Sequence, residues 1–432
     1  MNAFDESLTS GPKRDVPGGT VSPGSSGPAH QTGAAVARSL EGRMLTRLFE
    51  HLGNPPLEFV LPNGERISPP GAPPLARVSI ASRATLLGIL ADHGVRFPDA
   101  YSEGRVEIEG DIVELLEAIY RAGARPRPQA SSLRLALERL RRPRFNTLAG
   151  SRENIHHHYD IGNDFYSLWL GPTMAYTCAY YPTADATLDE AQTAKMHHVC
   201  RKLRLRPGET VVEAGCGWGT LALHMARHYG VKVRAFNISH EQVAYARERA
   251  QREGLGSSIE YVEDDYRNIS GRYDAFMSVG MLEHVGLENY GSLGGVIARS
   301  IGSSGRGLIH TIGRNRPAPL QPWIERRIFP GAYPPSLAEM MRIFEPYDFS
   351  VLDVENLSLH YAQTLRHWLG LFEGASARVR EMFDEKFVRM WRMYLAGSIA
   401  GFTTGTLQLF QVVFAPRNNN DIPLTREYMY PR

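Results

Sequence analysis

Val211-Val212-Glu213-Ala214-Gly215-Cys216-Gly217-Trp218-Gly219-Thr220 is the stretch on which the fold of this chain turns. An apolar pair ends a buried strand, an acidic residue closes it, and three glycines at alternate positions lead into a helix starting near Thr220. The spacing Gly-x-Gly-x-Gly is neither the dinucleotide pattern Gly-x-Gly-x-x-Gly nor a phosphate loop, and no lysine follows to hold a phosphate. Glycine lets the backbone approach a ligand closely, and Glu213 offers a carboxylate to a cationic or hydroxyl-bearing ligand. Strand-to-helix turns also need glycine for purely structural reasons, so the loop alone does not specify a ligand.

The neighbouring sequence extends the pattern. Val231 to Ser239 reads as a second strand with a polar tip and His240 to Glu253 as a helix. A third strand, Ile259 to Val262, runs into Glu263-Asp264-Asp265-Tyr266, and a fourth, Tyr273 to Val279, into Met281-Leu282-Glu283-His284. A fifth, Gly307 to Gly313, carries His310. In open α/β sheets the carboxyl ends of the strands form the ligand crevice, which places Glu283, His284 and His310 well for chemistry, although each could simply cap a helix or satisfy a loop. The expected fold class is α/β: a doubly wound, Rossmann-like domain with inserted helices, preceded by a small α+β N-terminal domain.

At 432 residues and 43% hydrophobic, the chain can build two or three cores. A net charge of +2 provides no global field for nucleic acid. Three scattered cysteines, Cys178, Cys200 and Cys216, form neither a disulfide framework nor a zinc site and suit a reducing cytoplasm. No apolar run reaches the roughly 18 residues that span a bilayer, and the start lacks the features of a signal peptide.

Residues 1–35 are rich in Gly, Pro and Ser and are expected to be disordered, because they cannot bury enough surface to offset ordering entropy. Residues 36–123 alternate helical spacing (Leu40, Met44, Leu48, Leu52) with short strands at 57–61, 65–68, 78–81 and 105–109, and with helices from Arg83 and Asp111. Residues 124–149 read as a linker holding a basic amphipathic helix. Leu133, Ala136, Leu137 and Leu140 share one face of it while Arg134, Arg139, Arg141 and Arg142 cover the rest, suited equally to docking on the next domain or to anionic lipid headgroups. Residues 150–432 form the larger domain. In it, consecutive His156-His157-His158 seldom converge on one metal, and no zinc spacing follows, so no metal site is expected. Cys178, alone among aromatic residues, reads first as a small hydrophobe.

Taken together, His158-Tyr159-Asp160-Ile161-Gly162-Asn163-Asp164-Phe165-Tyr166, Tyr176-Thr177-Cys178-Ala179-Tyr180, Glu213 to Gly219, Met281 to Gly286, His310-Thr311-Ile312-Gly313, Phe329-Pro330-Gly331, His360 to Leu365 and Leu407 to Gln411 resemble the cyclopropane-fatty-acyl-phospholipid synthase family. These are S-adenosylmethionine-dependent methyltransferases. The match spans about residues 150–415, while residues 36–123 resemble the family's smaller N-terminal domain more loosely, chiefly through Ala100-Tyr101-Ser102-Glu103-Gly104.

The resemblance implies transfer of a methylene group from S-adenosylmethionine to the cis double bond of unsaturated phospholipid acyl chains, giving cyclopropane fatty acids. C-methylation without ring closure is the alternative, and a non-catalytic lipid-binding protein the third reading. The cofactor contacts it implies are Tyr159, Tyr176, Glu213, Gly215, Gly217, Gly219, Asn237, Ser239, Gln242, Asp265 and Tyr266. A bicarbonate ion is the implied base, held by Glu283, His310, Tyr361 and the main chain of Cys178. Aromatic faces such as Tyr159, Tyr166, Tyr176 and Tyr361 can stabilise a sulfonium or carbocation by about 2 kcal/mol when desolvated, against a plain packing role. Where the family usually has cysteine, this chain has Ser398, and Thr403 stands where arginine is usual; both leave the fate of the carbocation open. The stretch Arg314 to Phe329 mixes arginines with large apolar residues and suits either a lipid interface or a loop over the active site. The expected partner is a phospholipid bilayer, with no nucleic acid and homodimerisation left open, at the inner face of the membrane.

Overall fold

The computed structural model describes residues 39–69, 73–123, 161–419 and 421–430. The proposed disordered start, the basic helix at 131–142, His156 to His158 and Tyr159 lie outside them. The first unit runs α1 (Leu40–Leu52), β1 (Leu57–Val60), β2 (Arg66–Ile67), β3 (Ala76–Ile80), α2 (Arg83–Ala91), α3 (His93–Ser102), β4 (Val106–Glu109), α4 (Ile112–Gly123). Its sheet has the order β2-β1-β3-β4, with β1 and β3 parallel and the outer pairs antiparallel. The sequence pattern predicts one helix from Arg83, whereas the structure has two before β4, α2 and α3, with Pro98 inside the second. Pro98 has no N–H to offer the Gly94 carbonyl one turn back. That carbonyl instead accepts from Gln321 Nε2 at 2.6 Å, so the proline's missing bond becomes a tie between the two units.

The second unit runs α5 (Asn163–Leu170), α6 (Leu188–Lys202), β5 (Thr210–Ala214), α7 (Thr220–Tyr229), β6 (Lys232–Asn237), α8 (His240–Arg252), β7 (Ile259–Glu263), β8 (Tyr273–Val279), α9 (Tyr290–Ser300) and β9 (Ile301–Gly313). It continues through α10 (Pro322–Arg327), α11 (Leu337–Phe344), β10 (Phe349–Asn356), α12 (Ser358–Gly374), α13 (Ser376–Met382), α14 (Glu385–Thr403) and β11 (Gln408–Pro416). The seven strands lie in the order β10-β11-β9-β8-β5-β6-β7. Strand β11 runs against its neighbours β9 and β10, and the pairings from β9 across to β7 are parallel. Both faces are covered: Val211 packs with Met225 and Val243 on one side, Val212 with Val296 and Ile343 on the other. With both sides of the sheet covered, β5 places the adjacent Val211 and Val212 on opposite faces, both fully buried. The result is a doubly wound, Rossmann-like α/β fold with inserted helices.

A third core joins the inserted helices to the first unit, around the fully buried Trp169, Trp368 and Trp391. The units are also pinned by polar contacts. Arg389 of α14 donates to the carbonyls of Tyr101 (2.6 Å) and Val106 (2.7 Å) with its guanidinium 4.3 Å over the Tyr101 ring. Trp323 Nε1 donates to Asp99 at 2.9 Å. Among the described residues no helix is long and apolar enough to cross a membrane.

Candidate active site

At the carboxyl ends of β5 and β8, where the strand order reverses, lies a cavity of about 140 Å³. Gly215, Gly217 and Gly219 all sit at positive φ (84°, 53° and 77°), a conformation that strains any side chain. A Cβ at Gly215 would press on Met281 and one at Gly219 on Tyr261, whereas at Gly217 it would meet nothing within 4 Å. Gly217 is therefore the point where the backbone is left bare toward the cavity.

Of the cofactor contacts expected from sequence, Tyr176, Glu213, Gly215, Gly217, Asn237, Gln242, Asp265 and Tyr266 line this cavity. Gly219 and Ser239 do not. Gly219 starts α7 and its carbonyl accepts from Tyr261 Oη at 2.9 Å, while the buried Ser239 caps α8 by accepting from Gln242 N. Asn237 Nδ2 bridges Gln242 Oε1 (2.8 Å) and the Gly217 carbonyl (3.3 Å), tying the tip of the second strand to the glycine loop.

Glu213 is 2% exposed and its Oε2 has no hydrogen-bond partner. Burial pushes its carboxyl up to about 8, against the pull of the Lys195 ammonium. Lys195, also 2% exposed, is itself pushed down to about 8 by burial and donates to Thr177 Oγ1 at 2.7 Å. The Tyr266 hydroxyl is likewise buried without a partner. These are groups waiting for a ligand's donors and acceptors.

A second cavity, of about 1400 Å³, adjoins the first, and the two share Tyr176, Thr177, Gly280 and His284 as walls. Glu283, His310, Tyr361, Cys178 and Ser398 all line the larger one, although they come from five separate stretches of sequence. Glu283, 6% exposed, accepts from Ile312 N at 2.5 Å through Oε1, while Oε2 has no partner. Burial pushes its carboxyl up to about 7, with the Ile312 hydrogen bond opposing.

His310 is 1% exposed and held well below the usual imidazole range by burial, reinforced by the Lys195 and Lys202 charges, so it is neutral. Its Nδ1 pairs with Gln411 Nε2 at 3.0 Å. With the amide nitrogen donating, the imidazole proton resides on Nε2, which has no partner. Tyr361 stacks its ring 4.7 Å from Phe402. The Cys178 thiol is fully buried and its pKa raised by desolvation, which makes it a poor nucleophile. Tyr176 and Tyr394 join their hydroxyls at 2.8 Å across the junction of the cavities.

The family model described as mycolic acid cyclopropane synthetase matches residues 147–412. The chain belongs to that family. This member is 36% identical over 349 residues to a probable fatty acid methyltransferase of Pseudomonas putida, covering 77% of this chain and 85% of that one. It is 36% identical over 344 residues to the cyclopropane-fatty-acyl-phospholipid synthase of Escherichia coli strain K12, covering 78% and 87%. Among solved structures, mycolic acid cyclopropane synthase CmaA1 complexed with SAH and CTAB superposes with a TM-score of 0.58 at 28% identity, covering 61% of this chain and 97% of that one. The protein is thus an S-adenosylmethionine-dependent methyltransferase of the mycolic acid cyclopropane synthetase family.

Sequence reasoning assigned no role to Lys195, Thr177 or Gln411. The signal for Lys195 and Gln192 was present: both stand on the buried face of α6 beside Ala191, Met196 and Val199, where a polar residue needs a partner. Gln192 Nε2 supplies one, donating to the carbonyls of Ala175 (3.2 Å) and Thr177 (2.9 Å) and so fixing the loop shared by both cavities.

Proposed function

We propose that this family member acts on unsaturated acyl chains of phospholipids and closes a cyclopropane ring across their cis double bond. The observation that carries the reading is the junction of the two cavities: a small one with an orphan carboxylate beside the glycine loop, and a large, mostly apolar one with unpartnered Glu283 Oε2 and His310 Nε2 in its wall.

S-adenosylmethionine supplies an electrophilic methyl group on a sulfonium. Glu213 and Tyr266 are the groups that would hold its polar ends, and Gly217 the backbone it would lie against. An acyl chain in the large cavity brings its double bond to the shared wall. The π electrons would attack the sulfonium methyl and break its bond to sulfur, with S-adenosylhomocysteine as the leaving group. Tyr176, Tyr361 and Tyr394 would flank the resulting carbocation on the chain, and loss of one proton from the new methyl would close the ring. Neutral His310, donating from Nε2, and Glu283 near its own pKa form a pair that can bind an oxyanion and accept a proton. A bicarbonate ion would be held by that pair together with Tyr361 and the Cys178 main chain, which line the same cavity, and would serve as the base. The cavity's apolar lining keeps water from the carbocation.

Glu283→Gln and His310→Gln should each lower turnover far more than cofactor affinity, measured by methyl transfer to vesicle lipids and by calorimetry. Equal losses in both would remove these residues from the proton-transfer step. C-methylation without ring closure remains the second reading because of Ser398, which lines the cavity from α14. Ser398→Cys should leave the ring as product if the hydroxyl is only a pocket donor; a shift of a branched wild-type product toward the ring would instead assign position 398 to the direction of proton loss.

A further inference from the structure

We propose that Arg314 binds the phosphate diester of the lipid substrate, an inference that rests on the phospholipid reading above. Arg314 follows β9 directly, four positions beyond His310, and lines the large cavity. Its Nε is buried with no hydrogen-bond partner, and among the described residues no carboxylate lies within ion-pair distance of its guanidinium. Other arginines withdrawn from solvent are matched: buried Arg306 meets Glu209 at 2.5 Å and half-buried Arg392 meets Glu373 at 2.7 Å.

A guanidinium keeps its proton in any protein environment, so desolvating it without a counter-charge costs several kcal/mol. Two carboxylates in or behind the same wall already accept from other donors. Glu283 takes the Ile312 amide, and Glu339 takes the Tyr333 hydroxyl at 2.8 Å and the Ser336 amide at 2.9 Å. The charge of Arg314 is felt by Tyr333 and by Tyr120 of α4, both in the same cavity wall. The cation therefore lies in the part of the cavity wall that Tyr120 of the first unit and Tyr333 of the second share.

A phosphodiester carries two equivalent charged oxygens that match the guanidinium fork and supplies the missing anion. Four residues of extended chain span about 13 Å. That is of the same order as the path from a phospholipid's phosphate to a double bond midway along its acyl chain, so the anion at Arg314 would set which carbons reach Glu283 and His310.

Calorimetric binding of dihexanoyl phosphatidylglycerol and of dihexanoylglycerol, which lacks the phosphate, separates this role from mere packing. Arg314→Gln should weaken the first by about tenfold or more and leave the second unchanged, with Arg314→Lys in between. Equal binding of the phospholipid by wild type and Arg314→Gln would overturn the proposal. So would a parallel loss of both ligands, which would mark a structural role. Inorganic phosphate binding as tightly as the lipid, and lost in the variant, would assign the cation to a free anion and overturn the headgroup reading. A wild type that binds phosphatidylglycerol through Arg314 yet transfers no methyl group to lipid would keep the anion site and overturn the proposed reaction instead.

Discussion

Replacing Glu213 by glutamine should stabilise the ligand-free protein near neutral pH while weakening its hold on the cofactor. The carboxyl is buried, has an unpartnered oxygen, and is raised from 4.5 to about 8. The folded protein thus binds a proton here more tightly than the unfolded chain does, so this group's contribution to stability falls as pH rises from 4.5 toward 8. At about 1.36 kcal/mol per unit, the deficit is about 3 kcal/mol at pH 7 and about 1 kcal/mol at pH 5. Glutamine carries no such dependence, and its lost attraction to Lys195 acts in the opposite direction. The difference in unfolding free energy, variant minus wild type, should therefore move in the variant's favour by about 2 kcal/mol between pH 5 and pH 7. Urea unfolding at the two pH values reads this directly, and calorimetry with S-adenosylmethionine reads the accompanying loss of affinity. A difference that does not change with pH, or an affinity equal to that of the wild type, would refute the assignment of Glu213 as a carboxylate held ready for ligand.

The glycines of the same loop should separate by role. Gly219→Ala drives a Cβ to 2.5 Å from the Tyr261 hydroxyl and should lower the melting temperature markedly, whereas Gly217→Ala should cost only the strain of its positive φ, about 1 to 2 kcal/mol, and lose cofactor binding instead. Turnover should rise with pH through about 7 as Glu283 ionises and becomes a proton acceptor, and Glu283→Gln should flatten that limb of the profile; an unaltered profile in the variant would assign the ionisation to another group.

The sheet was legible because the central strands β5, β8 and β9 carry clustered apolar residues and β6 and β7 alternate apolar with charged ones. Polar residues follow the strand ends, and Glu213, Glu283 and His310 stand at or near them. That Glu283 and His310 share a wall with Tyr361, Cys178 and Ser398 could not be read from periodicity, since β9, α12 and α14 meet only in the fold; the family resemblance brought them together before the structure did. The family resemblance set Gly219 and Ser239 beside Gly217 and Asn237, and only the fold separates residues that line the cavity from those that start or cap a helix. Helix α3 tolerates Pro98 because the Gly94 carbonyl accepts from Gln321, more than 200 residues away in sequence, a contact that no local pattern reveals. Lys195 was legible only through its place among the apolar residues of α6, because a charged residue in a helix otherwise reads as solvated.

The central claim is ring closure on a lipid double bond with a carbon taken from the cofactor. S-adenosylmethionine labelled with carbon-13 in its methyl group, incubated with the full chain and vesicles of a dioleoyl phospholipid, tests it directly. Proton and carbon resonance of the extracted lipid should place the label in a cyclopropane methylene that bridges the former double bond. Label found only in a methyl or methylene branch, or no label in the lipid while S-adenosylmethionine is still bound, would contradict it.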